Sequence, residues 1–202
     1  MARIVGLATA RLSVALHTPF VTALRRTGHV RIAVRVTDAD GNVGVGGAPQ
    51  VWRVTGESLE SIEACVLGPL ADVLLAHDPA EDPPGAVHRA LARAVVANGG
   101  ARAATETAVL DLLARAAVLP LSGFLGATAG SVGTDVTIAA EGQAWDPSGP
   151  AATGFDQVKI KVGLDPADVG RVIDIHRSAS KPVRVDANQA RDVATATAAV
   201  EA

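Results

Sequence analysis

Between residues 157 and 186 the chain reads strand, helix, strand, and that order admits few folds. The segment QVKIKV, 157–162, alternates apolar with polar residues. Asp165-Pro166-Ala167-Asp168 then opens a helix, with Asp at the N-cap, Pro at the first helical position and an acid near the positive helix end. Val169, Val172 and Ile173 give this helix an apolar face, Lys181-Pro182 ends it, and VRVD at 183–186 returns as a strand. Two such strands joined by a helix run parallel, with a right-handed crossover. A further strand is predicted at 135–140, followed by a weak helical stretch that contains Pro147 and Pro150. The second part of the chain therefore reads β-α-β-α-β.

The first part has a different rhythm. Residues 4–14 form a predicted strand and 17–28 a loop. In 29–37, Val30, Ile32, Val34 and Val36 share one face while Arg31 and Arg35 share the other. Asp38-Ala39-Asp40-Gly41 signals a turn, and 42–48 returns as a third strand, which makes an antiparallel meander. Helices follow. Ser58 is the predicted N-cap of the first, with Leu59, Ile62 and Val66 at helical spacing, and Gly68-Pro69 is expected to break it. A second helix is predicted at 84–97, closed by Asn98-Gly99. A third starts near Ala101, with Ala104, Ala108, Leu112 and Arg115 on helical rows. The small residues imply close packing. A Gly/Ser/Thr-rich stretch at 123–133 reads as a domain boundary.

Composition removes several function classes. With three Phe, two Trp and no Tyr among 202 residues, the chain lacks the aromatic platforms on which single strands stack. A net charge of −3 gives no global field for phosphate backbones, so no nucleic-acid partner is expected. One cysteine excludes an internal disulfide and a thiolate cluster, and fits a reducing, cytoplasmic setting. No apolar run approaches the roughly 20 residues of a membrane span. Arg11 interrupts the apolar N-terminal stretch, which reads as a strand and not a signal peptide.

Two pairs of polar residues fall at strand ends. Lys159 and Lys161 are two apart on one strand and so share a face, at the C-terminal end where parallel α/β sheets place their sites. Neighbouring ammonium groups disfavour each other's charge, and a neutral lysine is a competent general base. Taken alone, K-x-K reads as a solvated strand end. Asp186 and Asn188 repeat the arrangement after VRV. The Asp186 carboxylate suits a divalent cation, and alone it reads equally as a turn cap. Together, two consecutive βα units ending in KIKVG and VDANQ set a base beside a metal ligand. That suits abstraction of a proton next to a carboxylate.

With these motifs the chain resembles the enolase superfamily, in its muconate-lactonizing and dipeptide-epimerase branch. The resemblance covers nearly the whole chain: the meander, PLSGFLGA, TDVTIA, KIKVG and VRVDANQ. It implies an α+β capping domain over 1–126 and, over 127–202, the first three units of a (β/α)7β barrel. TPFVTALRR and VTGESLESI are most similar to dipeptide epimerases, which invert the α-carbon of a dipeptide's second residue with Mg²⁺. On that resemblance Lys161 is the acid/base lysine and Lys159 its charge-tuning neighbour. Asp186 is a metal ligand, Thr137 contacts substrate, and Phe20 and Arg25 lie on the loop that covers the site, Arg25 facing a substrate carboxylate. The implied partner is a small molecule, a dipeptide, with a homo-oligomer possible for the complete enzyme.

Departures from the pattern are visible. Gly44-Val45-Gly46-Gly47-Ala48 replaces the family's G-x-G-E-A, and Ala190-Arg191 replaces Gly-Trp after DANQ. The pattern also calls for two more acidic ligands and a second lysine beyond Ala202, so a 202-residue chain is expected to be inactive alone. A muconate cycloisomerase-like reaction and an inactive fragment stand as alternatives. Cys65 is expected as a buried small hydrophobe. His17, His88 and His176 lack metal spacing, and Trp52 and Trp145 read as packing or loop residues.

Overall fold

The computed structural model describes residues 3–15, 20–22, 25–27, 31–77, 82, 85–128, 130–138 and 154–201. The chain forms two compact units, one from 1–15 and 29–128, the other from 16–28 and 129–202. His17, Trp145 and the proline-containing stretch around 147–150 lie outside the described residues.

The first unit is built on an antiparallel sheet of β1 (Ile4–Leu12), β4 (Arg31–Asp38) and β5 (Val43–Pro49), in the order β1-β4-β5. The predicted alternation is realised: Ile32, Val34 and Val36 are buried and Arg35 is exposed. Register sets Val34 between Thr9 and Gly46, and Val36 between Leu7 and Gly44, so the buried side chains of β4 lie between β1 and two glycines of β5. The β4–β5 turn is tied by the buried Asp38, whose carboxylate accepts from the Asp40 N–H (3.0 Å), the Asn42 N–H (2.8 Å) and Asn42 Nδ2 (2.9 Å). These bonds, the Asn42 amide first, hold the Asp38 carboxyl below its ordinary value.

Helices cover the apolar face. Helix α1 (Leu59–Cys65) starts at Ser58, whose side chain accepts from the Ser61 N–H while Ser61 Oγ accepts from the Ser58 N–H, a reciprocal capping box. The expected break at Gly68-Pro69 is instead a kink. The chain passes through a wide turn at Val66–Leu70, with non-helical angles at Gly68 alone, directly into α2 (Ala71–Ala76). Buried Val66 and Leu70 on either side hold the two helices to one core. The helix predicted at 84–97 is the shorter α3 (Ala86–Ala94). Asn98, at φ +50°, does not close α3 but leads into α4 (Gly99–Ala116). The start of α4 is capped from 43 residues away: the buried Glu57 carboxylate accepts from the Gly100 N–H (2.7 Å) and the Ala101 N–H (2.9 Å). The small residues of α4 sit directly on β5, with Ala101, Ala104, Ala108 and Leu112 buried against the sheet. A short α5 (Leu121–Phe124) follows. Cys65 is buried as expected, and burial pushes its thiol up.

The second unit is a three-stranded parallel sheet of β6 (Asp135–Ile138), β7 (Gln157–Lys161) and β8 (Val183–Asp186), in that order. Helix α6 (Ala167–Ala179) joins β7 to β8, and α7 (Val193–Glu201) follows β8. Ile138, Val158, Ile160 and Val162 pack with Ile175 and Ala179 of α6. Each such side chain, once buried, contributes about 1.5–3 kcal/mol if Val or Ile. The segment expected as a loop at 17–28 contains two three-residue strands, β2 (Phe20–Thr22) and β3 (Arg25–Thr27), paired antiparallel.

Candidate active site

Strand β7 divides its side chains between two environments. Val158 and Ile160 enter the apolar core, and Lys159 and Lys161 point the other way. Parallel pairing carries that division to its neighbours. Thr137 lies opposite Lys159, which lies opposite Arg184, and Lys161 lies opposite Asp186. The polar face of this sheet therefore holds Asp135 and Thr137 from β6, Lys159 and Lys161 from β7, and Arg184 and Asp186 from β8.

At the C-terminal edge, Lys161 Nζ donates to Asp186 Oδ2 at 2.5 Å. The lysine side chain is 7% exposed and the aspartate side chain 33%, so the pair is sheltered on one side and open on the other. Asp186 Oδ1 accepts from the Asn188 N–H at 2.9 Å, in a turn where Asn188 and Gln189 both take positive φ. Lys161, then the Asn188 amide, hold the Asp186 carboxyl below its ordinary value, so it is an anion across the neutral range. Beyond β7, the Val162 N–H donates to the Asp186 carbonyl at 3.1 Å, which locks the two strand ends in register.

The sequence predicts two ammonium groups side by side on one strand face, each disfavouring the other's charge. The structure gives each its own carboxylate. Lys159 Nζ stands 3.6 Å from Asp135 Oδ1, and Arg184 Nη1 donates to Asp135 Oδ2 at 3.0 Å. Mutual repulsion is thus offset at both lysines. Asp135 and Arg184 were missed, although each sits two residues from a recognised site residue on the same strand face, which was the available signal. Thr137 lies in register with Lys159. Phe20 and Arg25 are brought to the hairpin, Phe20 paired with Thr27 and Arg25 with Thr22.

The donor set suits a hard cation in one respect. Asp186 offers a carboxylate oxygen, and Asn188 Oδ1 beside it is buried without a hydrogen-bond partner. Among the described residues no group of three His, Cys, Asp or Glu side chains forms a metal cage. His88 pairs through Nδ1 with Glu106, and His77 Nδ1 lies 2.5 Å from Asp82 Oδ2. A cavity of about 480 Å³, lined by Val162, Val172, Val185 and Ala187, opens on the helix-covered side of the sheet and not on the lysine side.

Comparison with known proteins agrees with this layout. The sequence profile of "Mandelate racemase / muconate lactonizing enzyme, N-terminal domain" matches residues 4–126. The L-Ala-D/L-Glu epimerase of Bacillus subtilis is 34% identical over 195 residues, which cover 93% of this chain and 53% of the epimerase. A solved substrate-liganded structure of the L-Ala-D/L-Glu epimerase from Bacillus subtilis superposes with a TM-score of 0.85 at 32% identity, over 98% of this chain and 57% of that one. The dipeptide epimerase of Methylococcus capsulatus, solved with Mg and the dipeptide L-Arg-D-Lys, gives a TM-score of 0.82 at 28% identity, over 98% and 58%. The chain spans about half the length of the curated relatives it matches.

Proposed function

The chain belongs to the mandelate racemase / muconate lactonizing enzyme family, and we propose that its polar sheet face serves a dipeptide epimerase. The observation that carries this reading is the Lys161–Asp186 pair, set at the C-terminal ends of adjacent parallel strands. On this reading residues 1–126 are the capping domain and 127–202 the opening strands of the barrel. The setting on this reading is cytoplasmic, which the single cysteine fits.

Lys161 is the acid/base group. Its side chain is almost fully enclosed, which limits the access of bulk water to the proton it gives or takes. Neutral, it removes the α-proton of the dipeptide's second residue, and protonated, it returns one. Lys159 and Arg184 form a fixed positive row one register step from Lys161 and oppose the negative charge that grows on the substrate carboxylate. Asp135 holds that row in place. The Thr137 hydroxyl, in line with Lys159, hydrogen-bonds the substrate. Arg25 pairs with a terminal carboxylate and Phe20 covers the bound dipeptide. Asp186 would hold Mg²⁺ through a carboxylate oxygen. Magnesium supplies positive charge where the substrate carboxylate gains electron density.

The test is chiral chromatography of a dipeptide panel, including L-Ala-L-Glu and L-Ala-D-Glu, after incubation with the complete enzyme and Mg²⁺. Inversion confined to the second residue supports the reading. Turnover of a muconate-type diacid with no dipeptide inversion overturns it.

A further inference from the structure

The end of β7 is held by two residues that the proposed chemistry does not use. The Lys161 carbonyl lies at the last residue of β7 and the Gly163 N–H two residues on. Helix α6 supplies the partners. Asp168 Oδ2 accepts from the Gly163 N–H at 2.6 Å, Asp168 Oδ1 accepts from Arg171 Nη2 at 2.9 Å, and Arg171 Nη2 also donates to the Lys161 carbonyl. Asp168 is 6% exposed. It would ordinarily be read as an acid favoured by the helix N-terminus. Its two oxygens are instead spent on the strand end and on the arginine one turn along.

We propose that Asp168 and Arg171 are positioning residues that clamp the backbone on both sides of Val162 and so fix where Lys161 presents its amine. With the clamp closed, Arg171 holds the Lys161 carbonyl, the Asp186 carbonyl holds the next N–H, and the Asp186 carboxylate holds Nζ. A misplacement of about 1 Å is enough to cost a proton-transfer catalyst roughly a hundredfold. The assignment of a catalytic purpose rests on the reading of Lys161 as the acid/base group; the clamp itself does not.

The experiment labels the intact protein with a limiting amine-acetylating reagent and reads each lysine by peptide mass spectrometry. Lys159, on the same strand and not held by the clamp, is the internal reference. Arg171→Ala and Asp168→Ala are expected to raise the Lys161-to-Lys159 labelling ratio by about threefold to tenfold, the factor set by losing one hydrogen bond. Arg171→Lys, which keeps a donor, is expected to restore most of it. A merely structural role would raise both lysines together and leave the ratio unchanged, and that result overturns the proposal. A measurement on the unsubstituted protein guards against variants that fail to fold. The Gly163 amide should exchange as slowly as the amides within β7, and exchange at the rate of an open loop refutes the clamp. Where dipeptide turnover is present, the Arg171→Ala variant should lose kcat with KM unchanged. Absent turnover in the complete enzyme sinks the functional reading and leaves the labelling ratio to decide the clamp.

Discussion

Gly46→Ala puts the tightest packing in the first unit to the test. A Cβ built on Gly46 would lie 2.0 Å from the Ala104 carbonyl oxygen and 2.8 Å from the Ala108 nitrogen, where ordinary contact begins at 3.4 Å. The shortfall is therefore about 1.4 Å, and both neighbours are backbone of α4, which has no rotamer to give. Relief requires lifting the helix or pushing β5 outward. Either movement opens the contact between Ala101, Ala104, Ala108 and Leu112 and the sheet residues Val34 and Val36. Overpacking of this kind costs about 1–3 kcal/mol, and the absence of a soft neighbour places this case at the upper end. In a protein of this size about 3 kcal/mol lowers Tm by roughly 6–12 °C. The assay is thermal and urea unfolding followed by circular dichroism. Gly6→Ala is the control, because nothing lies within 4 Å of its added Cβ, and it should shift stability by no more than about 0.5 kcal/mol. Equal stability of the two variants would refute the close packing of α4 on β5.

Two further perturbations read other parts of the first unit. Asp38 is held below its ordinary value in the folded state, so its stabilising contribution is complete above about pH 5 and fades as pH falls through the unfolded value near 4 and below. Asp38→Asn should lower stability at neutral pH and flatten the acid limb of a stability-versus-pH curve, whereas an unchanged limb contradicts the turn assignment. Glu57→Gln removes the charge that caps α4 and sets an amide N–H₂ against one of two N–H donors. A loss of about 1–2 kcal/mol in urea unfolding is expected, and no loss would mean the helix start is satisfied another way.

What could be read in advance was what local pattern controls. Alternation in β4, the Ser58 cap and the strand-helix-strand run of 157–186 each depend on neighbours within a few residues, and each is present. The same holds for Lys161 and Asp186, because spacing by two fixes a face and parallel pairing fixes a neighbour. The hairpin of β2 and β3 escaped because three-residue strands are too short to show a period. Gly68-Pro69 bends its helix without ending it, since buried Val66 and Leu70 outweigh the local breaker. Glu57 reaches α4 across 43 residues, and Asp168 turns back to the loop before its own helix; neither partner is implied by spacing. The two glycines that Gly44-Val45-Gly46-Gly47 shares with the family's pattern also acquire a reason: Gly44, like Gly46, lies where a Cβ would meet α4 backbone at 2.0 Å, a contact that does not explain Gly47.

The central claim is that Lys161 moves the α-proton of a dipeptide's second residue. Deuterium exchange at that carbon, followed by proton NMR in D₂O with the complete enzyme, Mg²⁺ and L-Ala-L-Glu or L-Ala-D-Glu, reads it most directly, because one base suffices to exchange the proton of one epimer. The account predicts loss of the α-proton signal from at least one epimer, abolished by Lys161→Ala. Exchange that survives Lys161→Ala undiminished would contradict it.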